Sequence, residues 1–282
     1  AFAGNEDRAG EAGASEILIN PWARSSGFGN ANSTSQRGIE AISLNVAGLA
    51  QTDGTELAFT NTNYLSGTGI QINAFGLAQK VGETGVIGIS VASMSFGDND
   101  ITTVDLPEGG IGTFSPTFLN IGVSYAKTFS NSIYGGLTVK LINESTANAK
   151  SSGVAIDAGV KYVTGKYDQI QFGITLRNVG PPMSFSGNGL AVSTSLPGTD
   201  FNRTLNSRSA DFELPSQILI GVSYDFFLSG TDTINDRISS THRLTAAGNF
   251  TSNSFTRDQI SVGAEYAFKE MFMLRGAFVY EE

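Results

Sequence analysis

The 282-residue chain carries 17 Lys+Arg against 26 Asp+Glu, a net charge of −9, with 34 glycines, one histidine and no cysteine. The lack of cysteine excludes disulfides, thiolate metal sites and cysteine nucleophiles, and a single histidine, His242, argues against a histidine-rich metal site or a Ser-His-Asp triad. The acidic balance, with no lysine/arginine cluster to displace counterions from phosphates, argues against nucleic acid; the mean hydropathy of −0.02 and the lack of any apolar run of about eighteen residues exclude a membrane-spanning helix but not a membrane-spanning strand.

Residues 1–52 do not alternate over strand length and read AGNEDRAGEAGAS, then ILINPWARSSGFGNANST, then RGIEAISLNVAGLA. The spacing predicts a short helix or turn over 38–50 with Ile39, Ile42, Leu44 and Leu49 buried, and Asn45 before Val46-Ala47-Gly48 as a cap and turn. Ile17, Leu18, Ile19, Trp22 and Phe28 would stay wet in a free tail, so this segment is expected to plug a lumen; the alternative is a tail outside the wall.

From residue 53 onward the chain alternates. Strands are expected near 56–64, 69–80, 85–96, 114–127, 132–143, 152–164, 168–178, 213–226, 241–252, 258–268 and 271–280. Within TFLNIGVSYA, for example, Leu119, Ile121, Val123 and Tyr125 fall on one face and Asn120, Gly122, Ser124 and Ala126 on the other. About ten residues tilted at about 45° is the length a membrane-spanning strand needs, against five or six in a soluble sandwich. Hydrocarbon offers no partner for an unpaired backbone group, so such strands must close into a barrel. The expected fold is therefore an all-β transmembrane antiparallel barrel over 53–282 with the lead segment 1–52. Connections near 81–84, 128–131, 165–167 and 269–270 are short, while 97–113, 144–151, 179–212 and 253–257 are longer, which places the longer set outside the cell. Residues 227–240 break that rule and imply a missed strand or a periplasmic excursion. Single-chain bacterial barrels have an even strand number, so a count of eleven leads to the expectation of further strands beyond Glu282.

Lys140, Asp157, Lys161, Gln171 and Arg177 share the polar parity and are expected as a lumen network, with Asp157 diagonal to Lys140 and Arg177. No catalytic constellation, metal ligand set or cofactor fingerprint emerges: GGIGTF at 109–114 opens no helix, and the acidic loop 98–108 lacks calcium-loop spacing. In the long loop, Pro181, Pro182, Phe185, Leu190, Leu196 and Phe201 are the candidate partner-binding anchors among serines and glycines.

The run AGASEILINPWARSSGFGNANST, followed by GIEAISLNVAGLA and a chain of strands, resembles the PorV/PorQ family, a branch of the FadL-type outer-membrane barrels of the Bacteroidota. Asn45-Val46-Ala47-Gly48 stands where the wider group carries an Asn-Pro-Ala-Gly-like hatch motif, so Asn45, Ala47 and Gly48 match it and Val46 departs from it. The resemblance implies fourteen strands in the complete protein, an outer-membrane site in contact with lipid and lipopolysaccharide, and no enzymatic activity. It also implies a role in type nine secretion, with secreted proteins or envelope-complex subunits as partners. The alternative within the superfamily is a channel for hydrophobic small molecules.

The face assignment predicts that Val139→Arg, on the greasy row, costs on the order of 2–4 kcal/mol, while Thr138→Arg, on the polar row, is tolerated. Equal effects of the two on folding into lipid would contradict it.

Overall fold

The computed structural model describes residues 6–195, 202–229, 231–234 and 237–281. After the lead segment come β1 (Thr55–Tyr64), β2 (Ile70–Val81), β3 (Gly85–Ser95), β4 (Thr117–Ser130), β5 (Ile133–Thr146) and β6 (Ala149–Thr164). They are followed by β7 (Ile170–Val179), β8 (Gln217–Phe227), β9 (His242–Asn253), β10 (Gln259–Phe268) and β11 (Phe272–Glu281). Each pairs antiparallel with the next, so one sheet runs in chain order from β1 to β11. These are strands because their residues alternate; they are long because ten to sixteen residues carry the alternation without a break.

The two faces are inverted relative to a water-soluble sheet. Val123, Leu137, Val139, Ile156, Val160, Phe172 and Ile174 are between 46% and 58% exposed on the outward face, whereas their inward neighbours Ser124, Thr138, Asp157, Lys161, Gln171 and Thr175 are 2% exposed or less. A continuous apolar surface of this size is stable against hydrocarbon and not against water. The wall is that of a transmembrane β-barrel.

What fills the inside is the lead segment. Gly13 donates its N–H to Glu213 O at 3.0 Å, and Ala14 and Ile17 pack with Ile142, Met183 and Leu214 at the long-loop end. The chain then crosses to the short-turn end, where Ile39, Ile42, Val46 and Leu49 pack with Ala78, Val86 and Ala126 before β1 begins. Two 3-10 helices, Ile39–Ser43 and Val46–Gln51, form this inner end, and the Asn45 side chain accepts the Ala47 N–H at 3.0 Å as their joint cap. Full burial of each large apolar side chain here contributes about 1.5–3 kcal/mol.

The inner face is built to admit this segment. Asn45 lies over Gly159 and Gly173, Val46 over Gly136, Ser33 over Gly221 and Phe28 over Gly263. The same segment reaches both terminal strands: Gly38 touches Glu56 on β1, and Gly29 touches Ala277 and Val279 on β11. One peptide contacting both ends of the sheet requires the sheet to be curled around it.

Three sequence expectations change. The connection expected at 144–151 is a turn at Ala147 and Asn148, with Ala147 left-handed at φ 38°, because β5 and β6 extend past the apolar belt. Residues 228–241 hold a separate hairpin, Thr231–Ile234 with Arg237–Ser240, so they form an excursion at the short-turn end and add no wall strand. Thr138 is fully buried and its hydroxyl is 2.8 Å from Ser124 Oγ, so the lumen has no room for Thr138→Arg and that substitution is expected to be disruptive.

A Cβ on Gly136 would lie 2.9 Å from the backbone oxygen of Val46, which has no flexible way to retreat. Gly136→Ala is therefore expected to cost on the order of 1–3 kcal/mol and to raise protease cleavage within residues 39–51. Gly276→Ala, with no atom within 4 Å of the new methyl, should do neither. Equal protease sensitivity in the two variants would contradict the seating of the segment.

Candidate functional site

Between the lead segment and the wall lies a cavity of about 80 Å³. The lead segment supplies Ile17, Ile19, Trp22 and Ile42; β2 to β4 supply Ile72, Met94 and Phe118, and the polar members include Ser43, Ser90, Ser93, Asn120, Lys140, Arg177 and Glu16. The side chains arrive there for different reasons. Trp22 follows an extended Asn20-Pro21 step, its N–H capped by Asn20 Oδ1 at 3.1 Å, and its indole N–H donates to Ser43 Oγ at 3.0 Å. Ile72 and Met94 take the inward parity of β2 and β3. Among the described residues no group of three His, Asp or Glu side chains gathers to hold a metal.

Arg177 and Lys140 reach the cavity through a β-bulge. The β6–β7 register shifts between Ile156 and Ala158, and Asn178 adopts a left-handed φ of 58°. Asn178 N–H donates to Asp157 Oδ1 at 2.8 Å, Lys140 Nζ lies 2.5 Å from Asp157 Oδ2, and Lys140 Nζ also donates to Asn178 Oδ1 at 2.7 Å. Asp157 is 1% exposed, so its charge is held only because both a cation and a backbone N–H meet it. Arg177 donates from Nη1 to Gln217 Oε1 at 3.2 Å and from Nη2 to Ile17 O at 3.5 Å.

The five expected lumen residues thus divide. Lys140, Asp157 and Arg177 come together as read from the sequence. Lys161 instead donates to Gln51 Oε1 of the lead segment at 2.7 Å, and Gln171 donates to Asp225 Oδ2 at 3.2 Å. Asp225 belongs to a second group, of which sequence reading places Glu265 and Arg275 in the lumen and misses Asp225, Arg243 and Glu270. Arg243 donates to Glu265 at 3.0 Å and to Glu270 at 2.7 Å, and lies 3.5 Å from Asp225; Arg275 meets Glu265 at 2.5 Å, and Arg24 of the lead segment lies 3.7 Å from the same carboxylate. Glu265 and Arg275 face each other directly across the short β10–β11 turn, whereas Asp225 joins them through Arg243 across the long 228–241 connection, whose register no local pattern sets.

Of the loop anchors, Pro181 and Pro182 are exposed, while Phe185 is half-buried with its ring 5.6 Å from that of Phe212, and Leu190 is half-buried in a short 3-10 turn. Leu196 and Phe201 lie outside the described residues. Phe185 is therefore drawn into its own fold, next to Met183, whose pairing with Phe212 pins this loop onto the lead segment.

Burial and the neighbouring Glu144 push the Glu16 carboxyl up to about 7. An acid whose folded pKa lies above its ordinary value stabilises the fold fully below pH ~4.5 and loses that contribution as pH rises through the folded value. The docking of residues 14–22 is thus expected to weaken between pH 5 and pH 8, read as a falling thermal midpoint of Trp22 emission. Glu16→Gln should flatten the profile. A wild-type midpoint independent of pH over this window would contradict the assignment.

No family model matches this chain, and no curated relative matches it. Among solved structures it aligns with a chain described as the CymD monoaromatic hydrocarbon channel, at 10% identity and a TM-score of 0.48, over 94% of this chain and 94% of that one.

Proposed function

We propose that the protein is a non-enzymatic outer-membrane barrel of the FadL-type superfamily that admits small hydrophobic molecules to the space between its lead segment and its wall. The observation that carries this reading is the cavity lined by Ile17, Trp22, Ile72, Met94 and Phe118 between the lead segment and the wall. A pocket whose lining is mostly apolar, with a few polar groups at one end, suits a small, largely apolar guest. In this reading the long loops face the cell exterior and the outward rows face lipid and lipopolysaccharide.

A second reading has its own support. Val104 is 99% exposed, and Leu106 and Leu205 are about half exposed on the long loops. Apolar side chains on external loops suit a protein partner, in keeping with the sequence resemblance to PorV/PorQ proteins and a role in type nine secretion alongside secreted proteins or envelope-complex subunits.

Uptake separates the two. Host cells deprived of their own hydrophobic-compound channels and expressing this protein should take up a single-ring aromatic faster than vector controls, and Ala74→Phe, which fills the cavity, should return the rate to the control. Uptake at the vector rate by correctly folded wild-type protein would remove the channel reading. Loss of partner co-purification on replacing 185–207 with a Gly/Ser linker would then favour the secretion reading.

A further inference from the structure

A second cavity, of about 200 Å³, lies at the long-loop end, where Ser15 and Leu18 of the lead segment face Pro215 and Phe255. Its lining includes polar side chains that bond to one another: Ser216 Oγ lies 2.8 Å from Ser254 Oγ, and Gln217 Nε2 donates to Asn253 Oδ1 at 2.7 Å. The inner cavity of about 80 Å³ receives Glu16 and Ile17 of the same stretch. The 3-10 turn Ser15–Leu18 therefore stands between the two. A cavity of about 150 Å³ holds one benzene ring. The outer cavity is large enough for such a guest, and the inner one is not while the turn stays docked.

What docks the turn against the wall is a pair of acids. Glu144 of β5 is 5% exposed, and the Glu16 carboxyl and the Ala14 N–H meet it. Among the described residues no N–H or hydroxyl reaches Glu144 Oε2. The cations around the pair are engaged elsewhere. Lys140 is committed to Asp157 and Asn178, and Arg177 to Gln217 and Ile17 O. Arg8 pairs with Glu11 and Glu213, and Lys150 is exposed on the outward parity of β6. Two ionised carboxylates held together away from water repel, so the docked turn requires a proton on Glu16, donated to Glu144. Burial and Glu144 push the Glu16 carboxyl up to about 7, so that proton is lost near neutrality. The backbone adds no lock of its own: Ala14, which enters the turn, is left-handed at φ 51°, a conformation alanine disfavours.

We propose, resting on the small-molecule reading above, that the Ser15–Leu18 turn is a gate between the two cavities, shut by the proton that Glu16 donates to Glu144. When that proton passes to water the pair carries two negative charges, the turn leaves the wall, and the two cavities join into a space that admits a single ring. An acid whose pKa is raised by docking favours the docked state below its ordinary range and loses that contribution as pH rises through the docked value, so the gate is shut in mild acid and opens toward pH 8.

Trp22 is 4% exposed, is the chain's single tryptophan and lines the inner cavity, so quenching of its emission by acrylamide, which is uncharged, reads the gate without a guest. In lipid nanodiscs the wild-type quenching constant should rise at least about threefold from pH 5.5 to pH 8, since the ionised fraction of an acid titrating at about 7 rises about thirtyfold over that interval. Glu16→Gln, whose amide donates to Glu144 at either pH, should stay at the acid value. Glu144→Gln should behave likewise and decides the matter if Glu16→Gln fails the heat-modifiability check, while Glu108→Gln, on an exposed loop, should follow the wild type. Uptake of a single-ring aromatic into proteoliposomes should be faster at pH 8 than at pH 5.5 for the wild type and slow at both for Glu16→Gln. Wild-type quenching independent of pH, or an equal rise in folded Glu16→Gln, would overturn the gate. Closure restored at pH 8 by calcium would overturn the proton assignment in favour of a cation bridging the two carboxylates. The predicted quenching, with uptake no faster than into protein-free vesicles at either pH, would overturn the small-molecule reading and leave the acid pair as the anchor of the lead segment.

Discussion

The structure depends on the contact between a lead segment of short helical turns and a wall whose inner face is cut down to glycine where that segment sits. Gly159 shows the constraint most sharply: a methyl there would sit 2.2 Å from Asn45 Oδ1. With the segment seated this closely, its backbone polar groups are met by its own 3-10 turns and by wall side chains, as a chain buried away from water requires. The wall benefits in return. Its inward polar residues, which would otherwise line a wet channel, find partners on the segment: Ser33 donates to Asn249 Oδ1 at 2.8 Å, Thr34 to Ser223 Oγ at 3.0 Å, and Lys161 to Gln51.

The buried charges follow from the same arrangement. Removing one member of a buried pair leaves an uncompensated ion, which is far costlier than losing the pair as a unit. Asp157 illustrates how the wall avoids that, taking Lys140 from one neighbouring strand and the bulged N–H of Asn178 from the other. The bulge that presents this N–H also turns Arg177 toward the lead segment, where it meets Ile17 O. Structural pairing and the formation of the cavity's polar end are thus one event. The charges satisfied within the wall brace the plug.

How much of this was legible in the sequence differs by element. The strands and their faces were, because period-two alternation places Val139 outward and Lys140 inward whatever the rest of the chain does. The cap at Asn45 was, since an Asn ahead of a small-residue run has a local mechanism. The bulge at Asn178 was not: asparagine tolerates a left-handed backbone better than most residues, but only the contact with Asp157 on another strand selects it at this position. The partners of Lys161 and Gln171 were equally hidden, because Gln51 and Asp225 lie far away in sequence and on elements whose register no local pattern sets. Lys140 and Asp157 were placed together by parity on neighbouring strands, even though the turn between β5 and β6 is shorter than the sequence suggests. Trp22 and Asn120 were visible as a lone indole and an inward amide, but their convergence on one cavity needed the path of the lead segment across the lumen.

That path is the central claim, and backbone hydrogen exchange in lipid nanodiscs tests it most directly. The account predicts that the amides of residues 39–51 exchange as slowly as those of β5 and β6, because both are buried against the same face and open only together. Exchange of 39–51 within seconds, at the rate of a free peptide, while β5 and β6 remain protected, would show that the segment does not occupy the lumen and would contradict the account.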